Sequence, residues 1–365
     1  MPLKKSRRSK EESAKNRCLL EAAPAFQKAL HDWYDKNHRK LPWRERPSLY
    51  RTVVSEFMCQ QTRIRTVLPY FERWVKALPD FKRLAEAPEE QVLKLWEGLG
   101  YYRRARNLHK LAKEIAALDE PPRSAKEWLK FPGIGPYSAA AITSIAFDTP
   151  AACVDGNVVR VLARLTNTDI LFKNTGSANR HFQPLAQGLL DRAAPGKHNQ
   201  AMMELGATHC QPKPECDDCP VESFCEARKH DSAENIPQFL PRQTEKLEIT
   251  RIWRMRGNKI LLSRAAKNSR QLAGLCELPT AESVGLPPEK IRTAGILKLR
   301  GKRSITRFSI TEWIYEVPEK KLCTKDRSLF WADRDEISSL TISGPHRRWI
   351  SKLLNGEKAP FEAEN

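Results

Sequence analysis

Between residues 24 and 225 apolar side chains recur at steps of three and four: Ala25, Leu30, Trp33; Val53, Phe57, Ile64, Leu68; Leu84, Val92, Leu95. That interval is the repeat of a helix burying one stripe. Prolines and glycines punctuate it at Pro42, Pro79, Pro88, Pro121, Pro122 and from Gly133 to Pro136. No alternating strand pattern intervenes, so residues 24–230 predict an all-α domain with a sizeable core. Residues 231–248 are polar, carry Pro237 and Pro241, and read as a linker. Beyond it the period changes. Residues 252–263, 296–300, 308–317 and 329–332 read as short strands, with helices near 288–292 and 345–354. A separate α+β domain over 249–356 and a tail over 357–365 follow from this pattern. The chain is therefore multidomain. Residues 1–23, rich in Lys and Arg and poor in large apolar residues at their start, read as a disordered basic arm.

Charge narrows the partner. The 365 residues carry a net +19, spread over both halves of the chain, which points to a polyanion. No apolar run approaches the roughly 18 residues a bilayer crossing needs, so no membrane partner is expected.

Four of the nine cysteines fall in one short run, Cys210-x5-Cys216-x2-Cys219-x5-Cys225. Thiols this close form a ligand set for one centre, either tetrahedral zinc or a [4Fe–4S] cluster. Disulfides are the weaker reading, because no secretory signal is read at the start and the cytosol is reducing. Spacing alone leaves zinc and iron–sulfur open.

Four further stretches carry chemistry. Phe131-Pro-Gly133-Ile-Gly135 is a glycine turn before a small-residue helix, whose free N–H groups suit a phosphate. With the basic charge it reads as a helix-hairpin-helix DNA-binding element. Val154-Asp155-Gly156-Asn157-Val158 places Asp155 at a helix start, where it serves either as an N-cap or as a partly buried carboxylate at a reaction site. Glu56 sits among Val53, Val54, Phe57 and Met58. Buried there it would hold a proton near neutrality; on an exposed stripe it would not. Arg44 precedes it in Leu41-Pro-Trp-Arg44, and Gln60, Gln61 and Thr62 follow with groups suited to base edges. Lastly, Gly98-Leu99-Gly100-Tyr101-Tyr102 presents aromatics ahead of Arg103, Arg104 and Arg106, a mixture that serves base stacking and phosphate contact.

Taken in order, LPWR, SEFMCQQT, LWEGLGYYRRARNLHK, FPGIGPYSAAAI, VDGNVVRVLARL, NQAMMELGA and the four cysteines resemble the helix-hairpin-helix, iron–sulfur DNA glycosylases, and within them the MutY-type adenine DNA glycosylases. The resemblance covers residues 38–225. It implies a [4Fe–4S] cluster on Cys210, Cys216, Cys219 and Cys225, although the first spacing is one residue shorter than the family's. It implies Glu56 as the acid that protonates adenine N7 and Asp155 as the carboxylate facing the sugar cation. Asn157 and Tyr137 would orient them. Gln61, Thr62, Leu99 and Tyr101 would fill and flank the gap around the opposite base. Where the bifunctional endonuclease III branch has a lysine nucleophile, this chain has Tyr137, so the expectation is a monofunctional glycosylase. The implied partner is double-stranded DNA with adenine opposite 8-oxoguanine or guanine. The implied state is a monomer, nucleoid-associated in a bacterial cytoplasm or else nuclear or organellar in a eukaryote. The alternatives are a mismatch thymine glycosylase of the same superfamily and a catalytically silent DNA-binding relative.

The C-terminal pattern is similar to the family's Nudix-like domain, with the stretch from Leu272 to Pro279 resembling LAGLWEFP and no run of hydrolase acids. The resemblance places a lesion-reading loop at Phe308, Ser309 and Ile310, the isoleucine standing where the family has histidine. Lys298, Arg300 and Lys302 alternate and are expected on one strand face, toward DNA phosphate.

Overall fold

The computed structural model describes residues 2–241, 243–266, 269, 273–305, 307–318, 322 and 326–356; the side chains of residues 2–10 lie outside that description. The expected tail over 357–365 and Leu272 also fall outside the described residues. Two units emerge: Met1–Glu86 with Asn107–Pro241, and Ala87–Arg106 with Arg242–Asn365.

The first unit is helical. α1 (Pro2–Glu21), α2 (Ala23–Asn37), α3 (Pro42–Glu45), α4 (Leu49–Cys59), α5 (Ile64–Ala77) and α6 (Phe81–Glu86) open it. α7 (Glu89–Trp96) lies in the second unit, where α8 (Arg103–Ala116) also begins. α9 (Ala125–Trp128), α10 (Pro136–Phe147), α11 (Gly156–Leu165), α12 (Thr175–Leu189), α13 (Pro195–Thr208) and α14 (Glu226–Lys229) complete the first unit. Phe26, Leu30, Val159, Leu162, Phe182 and Leu205 pack into one of its cores, with the four clustered cysteines against it.

Two expectations change here. The arm expected to be disordered is the helix α1. The reason lies at its end, where Leu19 is buried in the core and Leu20 lies so close to Gly188 that a Cβ there would meet it at 2.6 Å. The linker also divides. Residues 231–241 dock on the helical unit through buried Ala233 and Ile236, and Arg164 Nε donates to the Ile236 carbonyl at 3.0 Å. There β2 (Gln238–Phe239) pairs in parallel with β1 (Leu171–Phe172), strands too short to leave an alternating pattern.

In the second unit β8 (Phe308–Glu316) lies between β3 (Glu245–Trp253), parallel to it, and β7 (Ile296–Ile305), antiparallel. β5 (Lys259–Arg264) pairs with β4 (Met255–Arg256), β6 (Cys276–Glu277) and β9 (Leu329–Asp333), all antiparallel. α15 (Pro288–Ala294) and α16 (Gly344–Leu354) are its C-terminal helices, so the α+β reading holds. β3 starts at Glu245, earlier than its apolar residues announce, because Glu245 to Glu248 are exposed and held by ladder bonds to β8. A register shift between Leu297 and Leu299 then moves Lys298 off the face of Arg300 and Lys302, which carry on across from Trp313 and Thr311. Lys298 instead pairs with Glu316 at 2.8 Å. The three-lysine-and-arginine face of the sequence pattern is thus a two-residue one.

Candidate active site and cysteine centre

Glu56 comes from the middle of α4, whose N-cap Ser48 accepts from Arg51 N, and whose Val53, Val54, Phe57 and Met58 are fully buried. Dense surroundings, the nearby Asp155 carboxylate and the chain's own packing push the Glu56 carboxyl up to about 7. Burial is the first cause and Asp155 the second; a hydrogen bond from Tyr137 and the Arg44 charge pull the other way. The side chain nevertheless keeps partial solvent contact. Burial wins over the exposed-stripe alternative.

Asp155 takes the capping role, and its side chain is also half-buried. It is the N-cap of α11, where Oδ1 accepts from the backbone N–H of Asn157 at 2.9 Å and of Val158 at 2.8 Å. Oδ2 accepts from Asn157 Nδ2 at 3.0 Å. Burial raises its proton affinity, and those three donors act against burial by favouring the carboxylate. Tyr137, near the start of α10, turns its hydroxyl to Met203 Sδ at 2.9 Å; burial first, then the two carboxylates, hold its pKa well above the ordinary phenol value. Glu56, Tyr137 and Asp155 interact electrostatically, Asn157 binds Asp155, and all four are half-buried.

The hairpin that sets Tyr137 depends on Gly133. With φ at 82°, any Cβ would come within 2.8 Å of Asn107 and 2.9 Å of Phe57. Gly135 has open space around it and caps α10, with Pro136 at the first helical position. Gln60 Nε2 donates to Ser138 Oγ at 3.3 Å, joining α4 to α10. Gln61 is exposed at φ 57°, and Thr62 Oγ1 donates to the Gln60 carbonyl at 3.3 Å.

Arg44, expected among the DNA-contacting residues, makes its contacts within the helical unit. It lies inward, with Nη2 on Glu204 Oε2 at 2.9 Å, Nη1 on the Arg39 carbonyl at 3.2 Å, and its guanidinium 5.5 Å from the Tyr34 ring centre. Glu204 is fully buried and also accepts from Arg39 N, Nε and Nη2, and these hydrogen bonds and charges hold its carboxyl down to about 2 against burial. Sequence reasoning assigned Glu204 and Met203 no role, although both sit in the stretch NQAMMELGA; a Glu inside that apolar run was the available signal.

The four cysteines form no disulfide and line one cavity with Arg164, Leu205 and Val221. Arg164, itself buried on α11, donates to Cys210 Sγ at 3.3 Å and to the carbonyls of Gln211 and Pro212 at 2.6 and 2.9 Å. One turn earlier, Arg160 Nε donates to the Cys210 carbonyl and Nη2 to the Gly206 carbonyl, both at 2.6 Å; Nη2 also reaches Asn157 Oδ1 at 3.0 Å. Neither arginine was singled out from sequence.

Leu99, Tyr101, Phe308 and Ser309 belong to the second unit. Leu99 is buried, whereas Tyr101 is 46% exposed with φ at 47°. Phe308 to Ile310 begin a strand rather than a loop, pairing with Ile305 to Arg303. Successive strand side chains point to opposite faces, so Phe308 and Ser309 diverge, and Ile310 is buried at 6% exposure.

Residues 54–184 match the family described as HhH-GPD superfamily base excision DNA repair protein. The chain is 42% identical over 227 residues to an adenine DNA glycosylase of Schizosaccharomyces pombe, a match covering 55% of this chain and 49% of that protein. It is also 42% identical over 224 residues to the adenine DNA glycosylase of Homo sapiens, covering 58% and 41% respectively. The matched stretch thus spans about half the length of these curated relatives. Among solved structures, a thermostable thymine-DNA glycosylase is 25% identical with a TM-score of 0.50, covering 57% of this chain and 98% of that one. The helical unit therefore contains a stretch, residues 54–184, that matches the HhH-GPD family model, and the curated relatives it resembles are adenine DNA glycosylases.

Proposed function

We propose that this chain is a monofunctional adenine DNA glycosylase, cleaving the N-glycosidic bond of adenine opposite 8-oxoguanine or guanine in double-stranded DNA. The carrying observation is the contrast between two adjacent carboxyls. Burial raises both, but Glu56, with the Asp155 carboxylate beside it, reaches about 7, whereas Asp155 keeps three N–H donors that favour its charge. Environments that push two carboxyls apart in this way assign the acid and the charged partner. Adenine is a poor leaving group until protonated. Glu56 gives its proton to N7, the C1′–N9 electron pair goes to the purine, and Asp155 faces the oxocarbenium-like sugar. Water then adds at C1′ and a carboxylate takes its proton. Tyr137 offers no amine, so no Schiff base forms. The adenine must first leave the stack to reach these groups.

A [4Fe–4S] cluster on Cys210, Cys216, Cys219 and Cys225 belongs to the same reading. Four cysteines around one cavity fit such a group, and the Arg164 donor at Cys210 Sγ suits a thiolate. When bound, the cluster supplies a rigid, electron-rich anchor for the loop.

The second unit we read as a Nudix-like domain that binds without hydrolysing. Its buried acids are occupied: Glu312 meets Arg251 Nε at 2.7 Å and Arg303, and Glu277 meets Arg251 Nη2 at 3.0 Å and Ser343 Oγ at 2.8 Å. Likeness to a thymine glycosylase structure makes T:G the competing substrate. Single-turnover assays on A:8-oxoguanine, A:G and T:G duplexes separate the readings: adenine release is expected, and thymine release alone would replace the proposal.

A further inference from the structure

The turn Gly98 to Tyr102 has three left-handed residues, Gly98 (φ 103°), Gly100 (φ 72°) and Tyr101 (φ 47°). A tyrosine adopts that conformation only where its surroundings hold it. Part of the hold is local. Arg104 Nη2 donates to the carbonyls of Leu99 and Gly100, both at 3.1 Å, and its guanidinium stands 5.5 Å from the Tyr101 ring centre. The rest comes from far along the chain. Glu97, nearly buried, accepts from Arg347 Nε of α16 and from Lys94 Nζ at 2.8 Å. Arg347 also donates to the carbonyls of Ile337 and Leu340, both at 2.6 Å, and Lys94 to Leu340 at 2.9 Å. Tyr102 Oη donates to the Ile342 carbonyl and accepts from Gly98 N, both at 3.4 Å. Gly344 packs on Gly98, where an added Cβ would sit 3.6 Å from its Cα.

We propose that Arg347 is a positioning residue that sets the Gly98–Tyr102 turn, so that the C-terminal segment 337–347 presents Tyr101 to DNA. The DNA half of this statement rests on the glycosylase reading above. The placement half does not. Arg347 touches no reacting group; it neutralises Glu97 and ties it to the Ile337 and Leu340 carbonyls, and this fixes the start of the turn.

Two measurements on the full chain test it. In hydrogen exchange without DNA, Arg347→Ala should speed the amides of Leu99 to Arg103 by about tenfold or more, leaving those of β3 unchanged. Glu97→Gln should do the same from the other partner. Unchanged exchange in the turn, or a rise spread through β3, overturns the proposal. For DNA, Arg347→Ala should weaken binding to an A:8-oxoguanine duplex about as much as Tyr101→Ala, and the double variant should be no weaker than Tyr101→Ala. Additive losses overturn it. Should Tyr101→Ala itself leave binding untouched, the DNA reading of the turn fails, while the exchange data still decide the role of Arg347.

Discussion

Asn157 binds Asp155 twice, through its backbone N–H at 2.9 Å and its side-chain Nδ2 at 3.0 Å. One carboxylate thereby caps α11 and faces the site. Asp155→Asn separates the two duties, because Asn caps a helix about as well as Asp but carries no charge. Excision should slow by several powers of ten while the melting temperature moves little. A single-turnover rate near wild type would remove Asp155 from the mechanism.

Glu56 makes a pH prediction. Its carboxyl sits near 7 in the fold against 4.5 ordinarily, and in the proposed mechanism the protonated form is the acid. The excision rate should therefore fall as pH rises through about 7, and Glu56→Gln should abolish excision with DNA affinity nearly intact. The same shift costs stability. Folding favours the proton, so the stabilisation of the protonated form is fully present below 4.5 and lost as pH climbs through 7. Glu56→Gln should then unfold at higher temperature than wild type at pH 8, and by less at pH 5.

His198 acts in the opposite direction. Burial holds its pKa down to about 4, with the neighbouring His31 adding to the effect. The unfolded chain binds this proton at 6.5 and the folded one does not until about 4, so stability should fall as pH drops through that window. His198→Gln should flatten thermal melts across it; an unchanged slope would assign acid lability elsewhere.

Metal content follows from the four thiols. Purified protein should carry iron and acid-labile sulfide in equal amounts, and Cys219→Ser should lose both with a lower melting temperature. One zinc and no iron would give the site to zinc.

Lesion preference carries a correction. The resemblance makes Ile310 a missing polar contact that histidine would restore, yet Ile310 is buried in β8, on the face of fully buried Ile314. Ile310→His should therefore cost about 1–3 kcal/mol of stability rather than sharpen recognition. Ser309, on the other face, is the testable contact. Ser309→Ala should narrow the ratio of A:8-oxoguanine to A:G excision rates, up to about tenfold for one base-edge hydrogen bond.

Much of this molecule was legible without its structure. Helical periodicity marked the first unit, alternation marked most strands of the second, and the cysteine spacing, glycine hairpin and Val154–Val158 stretch lie in local runs that need no distant partner to be read. What the tertiary structure alone decided involves residues far apart in sequence. Arg44 turns inward because Glu204, on α13, waits there as a buried charge. Residues 87–106 join the second unit because Arg347 and Ile342, some 240 positions on, supply the partners of Glu97 and Tyr102. Lys298 leaves its face because a bulge shifts the register on β8, and α1 is held by Leu19 in a core assembled from other helices. A periodic stripe records only that a face is buried. Which charge neutralises another, and which strand slips by one residue, depends on surfaces that meet only once the chain has folded.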